Sequence, residues 1–234
     1  MSGSYLSDLH MHTFYSDGKA SPEEMVLAAV RLGLKRIAIT DHAGGHIFYG
    51  VRAGKLVELR KEVTRLASVY ANDIEVLFGL ECNLLGYGKT DAPEDRSMYD
   101  VLLLAYHKGG LQKDAFIMRR TLEALGLGKS EPELTANALL EAADKYKIDI
   151  LAHPGEYVKC DIATLARGAK QLGAAIEINA RHVTLSADEI RMAHDIGAKL
   201  RPNSDAHSPA RVGNLMPAIA AAEAAGVELE GDGL

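Results

Sequence analysis

Short apolar, β-branched runs alternate along this chain with longer amphipathic stretches, the pattern of repeated βα units around a parallel sheet. The runs cover residues 5–9, 36–40, 75–78, 101–105, 149–152, 174–178 and 199–201, each followed by a loop and usually by a helix. Seven such strands predict an α/β fold of the incomplete barrel type, a distorted (β/α)7 TIM-like barrel. No linker, internal repeat or low-complexity segment interrupts the alternation, so residues 1–234 are read as a single domain. With 47% hydrophobic and 25% charged residues, the chain has the means to bury a sizeable core.

Local signals agree with this reading. Ser21 can cap a helix, Pro22 suits its first position, and Glu24 completes a capping box, with Gly33 marking the end. Residues 55–70 place Leu56, Leu59, Val63, Leu66 and Tyr70 at helical spacing, with Arg60, Lys61 and Glu62 on a solvated face. Gly, Pro and charge content assigns residues 85–96 and 126–132 to surface loops.

Composition also excludes some roles. A formal net charge of −6 with no basic stripe argues against a protein built to hold nucleic acid. A small anionic substrate stays open, because bound metal changes the local sign. There is no basic start followed by an apolar run, and no apolar stretch of the ~20 residues a membrane span needs. A cytoplasmic protein is expected, without a membrane partner; no oligomeric state is assigned. Cys82 and Cys160 are too few and too far apart for a disulfide framework or a thiolate zinc site.

In an α/β barrel the chemistry sits on the loops at the carboxyl ends of the strands. Asp8, His10, His12 and Asp17 follow the first strand candidate, Asp41 and His42 the second, and Glu81 the third. His107 follows the fourth, His153 the fifth, and Asp205 with His207 the last. In His10-Met11-His12, two imidazoles two residues apart on an extended segment project to one side and can share an ion. Asp205-Ala206-His207 repeats that geometry. A single histidine at a strand end is ordinarily a hydrogen-bonded bystander. Converging carboxylates and imidazoles in this number must instead be paired, neutralised or metallated. Imidazole and carboxylate without thiolate suit zinc, manganese or iron, and nine potential ligands imply two or three divalent ions.

The motifs resemble those of the PHP (polymerase and histidinol phosphatase) domain. The first is Asp8-Leu9-His10-Met11-His12-Thr13 with Ser16-Asp17-Gly18, and the second is Ile39-Thr40-Asp41-His42. Gly79-Leu80-Glu81, His107, Ala152-His153-Pro154 and Ser204-Asp205-Ala206-His207 complete the series in order. The resemblance implies one metal on His10, His12, Glu81 and Asp205, and a second on His107 and His153 with Glu81 bridging. A third would use Asp17, His42 and His207. Asp17 stands where several trinuclear members carry histidine, which favours a harder ion there.

In such clusters a water bridging two metals becomes hydroxide near neutral pH, here held through Glu81, and attacks the phosphorus in line. The expected activity is hydrolysis of a small phosphomonoester, histidinol-phosphatase-like. The alternatives are a phosphodiesterase or nuclease, and a non-catalytic metal-stabilised assembly domain. Guanidinium groups match phosphate, which makes Arg181 and Arg201, both placed at strand ends, the candidate substrate contacts. Asp8 and Asp41 are candidates for orienting an imidazole from behind, with a turn cap as a second reading of Asp41. Lys108, His182, His46 and His194 are left outside the site.

Overall fold

The computed structural model describes residues 6–108 and 114–229; Tyr5, the first residue of the expected opening strand, lies outside them. The elements run β1 (Ser7–Asp8), α1 (Pro22–Arg31), β2 (Arg36–Ile39), α2 (Ala53–Val69), β3 (Glu75–Gly86) and β4 (Lys89–Thr90). Then come β5 (Val101–Ala105), α3 (Ala115–Ala124), α4 (Pro132–Tyr146), β6 (Ile150–Leu151) and α5 (Ile162–Leu172). β7 (Ala175–Asn179), α6 (Ala187–Ile196), β8 (Lys199–Asn203) and α7 (Met216–Ala224) follow.

The strands pair in the order β1-β2-β3-β5-β6-β7-β8, every pair on this path being parallel, with β4 antiparallel on β3. The ends of this path meet just beyond β1 and β8. There Met11 bridges Ala206, and His12 N donates to Ala206 O at 2.8 Å. The seven strands thus form a nearly closed, distorted (β/α)7 barrel, joined at the end where their carboxyl termini emerge.

Pleat alternation divides the core. On β5, Val101, Leu103 and Ala105 pack inside the barrel with Leu9, Ala38, Ile150 and Ala175. Leu102 and Leu104 point outward into the layer beneath the helices, where Leu59, Val63 and Leu66 of α2 are also buried. α1 begins as its sequence dictates, with Ser21 Oγ accepting from Glu24 N and Glu24 reaching back to Ser21 N. Among the described residues, no helix is long and apolar enough to cross a membrane.

Several expected boundaries move, and β1 narrows to Ser7–Asp8. β3 continues to Gly86 and returns as β4, so much of the segment expected as a loop is a hairpin turning at Gly88, whose φ is +62°. β6 shrinks to two residues. β8 extends two residues past Arg201, to Asn203. That extension removes Arg201 from the strand end, the position on which its reading as a substrate contact was based. It lies mid-strand beside Glu177 of β7, is buried, donates to Ser7 Oγ, and lines a depression at the amino-terminal end of the barrel with Arg96 and Asp149.

Candidate metal centre

All nine residues expected as ligands come together at the carboxyl end of the barrel. Glu81, 1% exposed, stands at the middle. Its Oε1 lies 2.8 Å from His153 Nε2, 3.2 Å from His107 Nε2 and 3.4 Å from His10 Nε2. Its Oε2 lies 3.0 Å from His42 Nδ1 and 3.4 Å from His12 Nε2. Each carboxylate oxygen therefore faces its own set of imidazoles, the geometry a bridging ligand needs. Asp205 Oδ1 adds a donor 3.4 Å from His12 Nε2 and 3.9 Å from His10 Nε2. On the outer side, Asp17 sits 3.2 Å from His207 Nε2 and 3.6 Å from His42 Nε2. The donor atoms form compact groups, among them His10-His12-Asp205, His10-Glu81-His153, His42-Glu81-His107 and His12-Asp17-His42-His207. His42 stands between the centre and the outer group, one ring nitrogen toward each.

The hydrogen bonds behind the rings fix what the rings present. His10 Nδ1 lies 2.8 Å from Glu177 Oε1, His107 Nδ1 2.8 Å from Asn83 Oδ1, and His153 Nδ1 2.9 Å from Glu156 Oε2. All three partners are acceptors, so each Nδ1 carries the proton and donates. The neutral ring then aims its Nε2 lone pair at a Glu81 oxygen. Lone pair against carboxylate at about 3 Å is repulsive unless a proton or a cation lies between them. His10 Nε2 and His12 Nε2 likewise face each other at 3.1 Å, and His42 Nδ1 is buried without a hydrogen bond of good geometry. This donor set fits divalent metal: imidazole and carboxylate, buried, convergent and tautomerically prepared.

Without metal, protons fill that need unevenly. Burial disfavours the imidazolium of His10, yet Glu177, Glu81 and Asp205 outweigh it and raise its pKa well above the ordinary histidine value. Burial likewise opposes charge on His153, but hydrogen bonds to Glu156 and Glu81 raise it strongly. His12 goes the other way, pushed down to about 4 by burial and by the neighbouring His42. Glu81 remains ionised far below the usual carboxylate range, because His107, His10 and His42 overcome its burial. Metal must therefore displace protons from His10 and His153. Zinc added to metal-free protein at pH 7 is expected to release a countable number of protons per chain, with apparent affinity rising as pH rises. Calorimetry in buffers of different ionisation enthalpy reads this number; uptake without proton release would contradict the protonation pattern.

The loops are pinned from behind. Asp41 accepts from Thr13 N, Thr13 Oγ1 and Ser16 Oγ at 2.8, 2.7 and 2.5 Å, holding the turn that carries Asp17. Asp8 accepts from Ser204 N and Oγ and from Gly213 N, fixing the residue before Asp205. Both aspartates thus hold turns, and their hydrogen bonds do not go to imidazoles. His153 and Asp205 take positive φ, 29° and 50°, a conformation that costs of order 1–3 kcal/mol for a residue with a side chain. That two members of the cluster carry such backbone is consistent with strain kept for function.

Glu177 and Glu156 are the residues that reading strand ends does not find. Glu177 serves His10 Nδ1, His153 N, Asn179 Nδ2 and Asn203 Nδ2 at 2.8–3.0 Å. The available signal was a carboxylate inside the apolar run Ile176-Glu177-Ile178, where an unpartnered charge is prohibitive. His46 is not a ligand candidate: its Nε2 donates to Lys108 O at 3.0 Å and its Nδ1 accepts from Tyr49 N at 3.2 Å. His194 is exposed on α6 beside Asp195. The cluster floors a cleft of about 310 Å³, walled by Tyr49, Lys108, Tyr157, Arg181 and His182. Arg181, 40% exposed, places Nη1 3.0 Å from His207 Nε2 and 3.6 Å from Asp205 Oδ1.

Comparison with known proteins gives the chain its relatives. The chain is 29% identical over 231 residues to the DNA polymerase/3'-5' exonuclease PolX of Bacillus subtilis, covering 94% of itself but 37% of that protein. It is 29% identical over 241 residues to a probable phosphatase of Syntrophotalea carbinolica, covering 95% of itself and 89% of that protein. Its fold superposes with a TM-score of 0.65, at 18% identity, on histidinol phosphate phosphatase from Lactococcus lactis, solved with zinc, L-histidinol and phosphate. That superposition covers 95% of this chain and 94% of the other. A PHP domain model matches residues 8–180, which include all of the cluster except Asp205 and His207. The chain belongs to the PHP domain family of metal-dependent phosphoesterases.

Proposed function

We propose that this protein is a phosphomonoesterase that hydrolyses a small phosphate ester on two or three divalent ions held by His10, His12, Asp17, His42, Glu81, His107, His153, Asp205 and His207. The observation that carries the reading is Glu81, whose two oxygens each face a separate set of imidazole nitrogens at 2.8–3.4 Å. When bound, the ions supply Lewis acidity and lower the pKa of water into the neutral range. Zinc, manganese and iron all suit this donor set.

The chain's own residues do the rest. Glu177, Asn83 and Glu156 lock three rings with Nε2 inward, so the donor geometry exists before substrate arrives. Arg181 stands over the outer group with its backbone N on Asn179 Oδ1 at 2.9 Å, ready to hold non-bridging phosphate oxygens and stabilise charge as the ester bond breaks. The cleft volume of about 310 Å³ suits a small substrate. The relative named a probable phosphatase matches over 89% of its own length, which supports the phosphatase reading.

Phosphate release from a panel of monoesters, histidinol phosphate included, tests the proposal, with a phosphodiester run alongside and metal content measured in the same samples. Selective, metal-dependent release from a monoester is expected. Preferential cleavage of the diester would replace the reading with a phosphodiesterase, and a fully metallated protein inert on every compound would overturn it in favour of an assembly role. Arg181→Ala is expected to raise KM about 10- to 100-fold through loss of a charge-assisted phosphate contact. Wild-type kinetics would make Arg181 structural.

A further inference from the structure

The metal cleft does not end at Arg181. A second compartment of about 400 Å³ opens from it, sharing Asp17, Tyr49, Arg181, Asp205 and His207 with the cleft and adding Lys19, Ser208 and Arg211. The shared carboxylates point to the cluster, where ions would neutralise them, so the new walls are cationic. Among the described residues, neither the Lys19 ammonium nor the Arg211 guanidinium is paired with a carboxylate in a salt bridge. The Ser208 hydroxyl does not cap the short 3-10 turn Pro209–Arg211 that it precedes.

The backbone that carries the two cations is tied to the metal loops. Lys19 follows Asp17 by two residues, and its N donates to His207 O at 2.8 Å. Gly18 between them lies so close to the His12 carbonyl that a Cβ there would come within 2.3 Å of its oxygen. Arg211 follows His207 by four residues and hydrogen-bonds through its N to Ser208 O. Two cations and a hydroxyl thus line the compartment one step beyond the cluster, with Arg181 at the junction.

We propose that this compartment is a second anion subsite, and that the preferred substrate is a phosphate ester carrying a second phosphate. The inference rests on the phosphoesterase reading of the neighbouring cleft and deepens it. A dianionic phosphate matches two positive groups and a hydroxyl donor, whereas a single carboxylate would leave one cation unmatched.

The test uses metal-loaded protein and α,ω-alkanediols of three to six carbons as rulers, each as monophosphate, bisphosphate and ω-carboxyalkyl phosphate. At the best chain length the bisphosphate is expected to exceed the monophosphate in kcat/KM roughly tenfold, as charge-assisted hydrogen bonds predict. Lys19→Ala combined with Arg211→Ala is expected to bring that ratio to about one. No bisphosphate preference at any length, or a preference that survives the double substitution, would overturn the subsite. An equal gain for the carboxylate would overturn its assignment to phosphate. If no monophosphate is hydrolysed, the phosphatase reading fails separately. Calorimetric titration of the bisphosphate then decides the subsite: roughly tenfold weaker binding to the double variant supports it, equal binding removes it.

Discussion

Glu81→Gln is expected to lose bound metal and phosphate release together, with kcat/KM falling about 10³-fold or more, since the change removes several kcal/mol of stabilisation supplied through bridged ions. The substitution preserves volume and changes one thing, the negative charge shared between two sets of imidazoles. His10, His107 and His153 face one oxygen and His12 and His42 the other, so no other carboxylate in the cluster can replace it at both positions. In the metal-free protein the same change also removes one of the counter-charges beside His10 and His153, leaving Glu177 and Asp205 beside the first and Glu156 beside the second. Metal content by mass spectrometry and steady-state kinetics on one sample check the prediction. Full metal occupancy with wild-type turnover would remove Glu81 from the bridging role.

Glu177→Ala acts from behind the cluster. Four buried donors converge on this one carboxylate: His10 Nδ1, His153 N, Asn179 Nδ2 and Asn203 Nδ2. Removing it orphans them, and the His10 ring loses the bond that fixes its tautomer. Metal affinity is expected to drop about 10- to 100-fold. Breaking a buried pair on one side costs about 3–5 kcal/mol, and at this chain length that lowers the Tm of the metal-free protein by roughly 10 °C. Glu177→Gln keeps one acceptor oxygen, so its losses are expected to fall between those of wild type and alanine. Competition with a chromogenic chelator and thermal unfolding measure the two effects. Unchanged affinity in both variants would mean that His10 is oriented by packing alone.

The convergence of the nine side chains was legible in the sequence because barrel chemistry obeys a positional rule. Once the apolar runs are found, the residues just after them are the ones brought to a common centre. Nine residues, eight beyond the strands and Glu81 within the extended β3, meet as that rule demands. Where the rule failed, a strand boundary or a direction was wrong. Arg201 looked terminal only because the apolar run stops there; Pro202 and Asn203 continue β8 and leave Arg201 buried mid-strand, on Ser7. Glu177 was passed over for the opposite reason, as an inward-facing residue within a strand, at the back of the cluster rather than its rim. Asp8 was expected to act on an imidazole by adjacency in sequence, and Asp41 either to do the same or to cap a turn, as it does. The turns after β1 and β8 instead bring backbone and hydroxyl donors to them. The β3–β4 hairpin was read as a loop because its Gly and charge content is that of any exposed turn, while its pairing depends on a strand that overruns the barrel.

Hydrolysis on metal held by these converging donors is the central proposal. Its most direct test is to strip the purified protein with chelator, verify that it is metal-free and folded, and follow phosphate release as zinc, manganese or iron is returned in counted equivalents. The predicted result is no release from the stripped protein and recovery that saturates at two or three ions per chain. Full activity in verified metal-free protein, or a folded chain that takes up less than one ion, would contradict it.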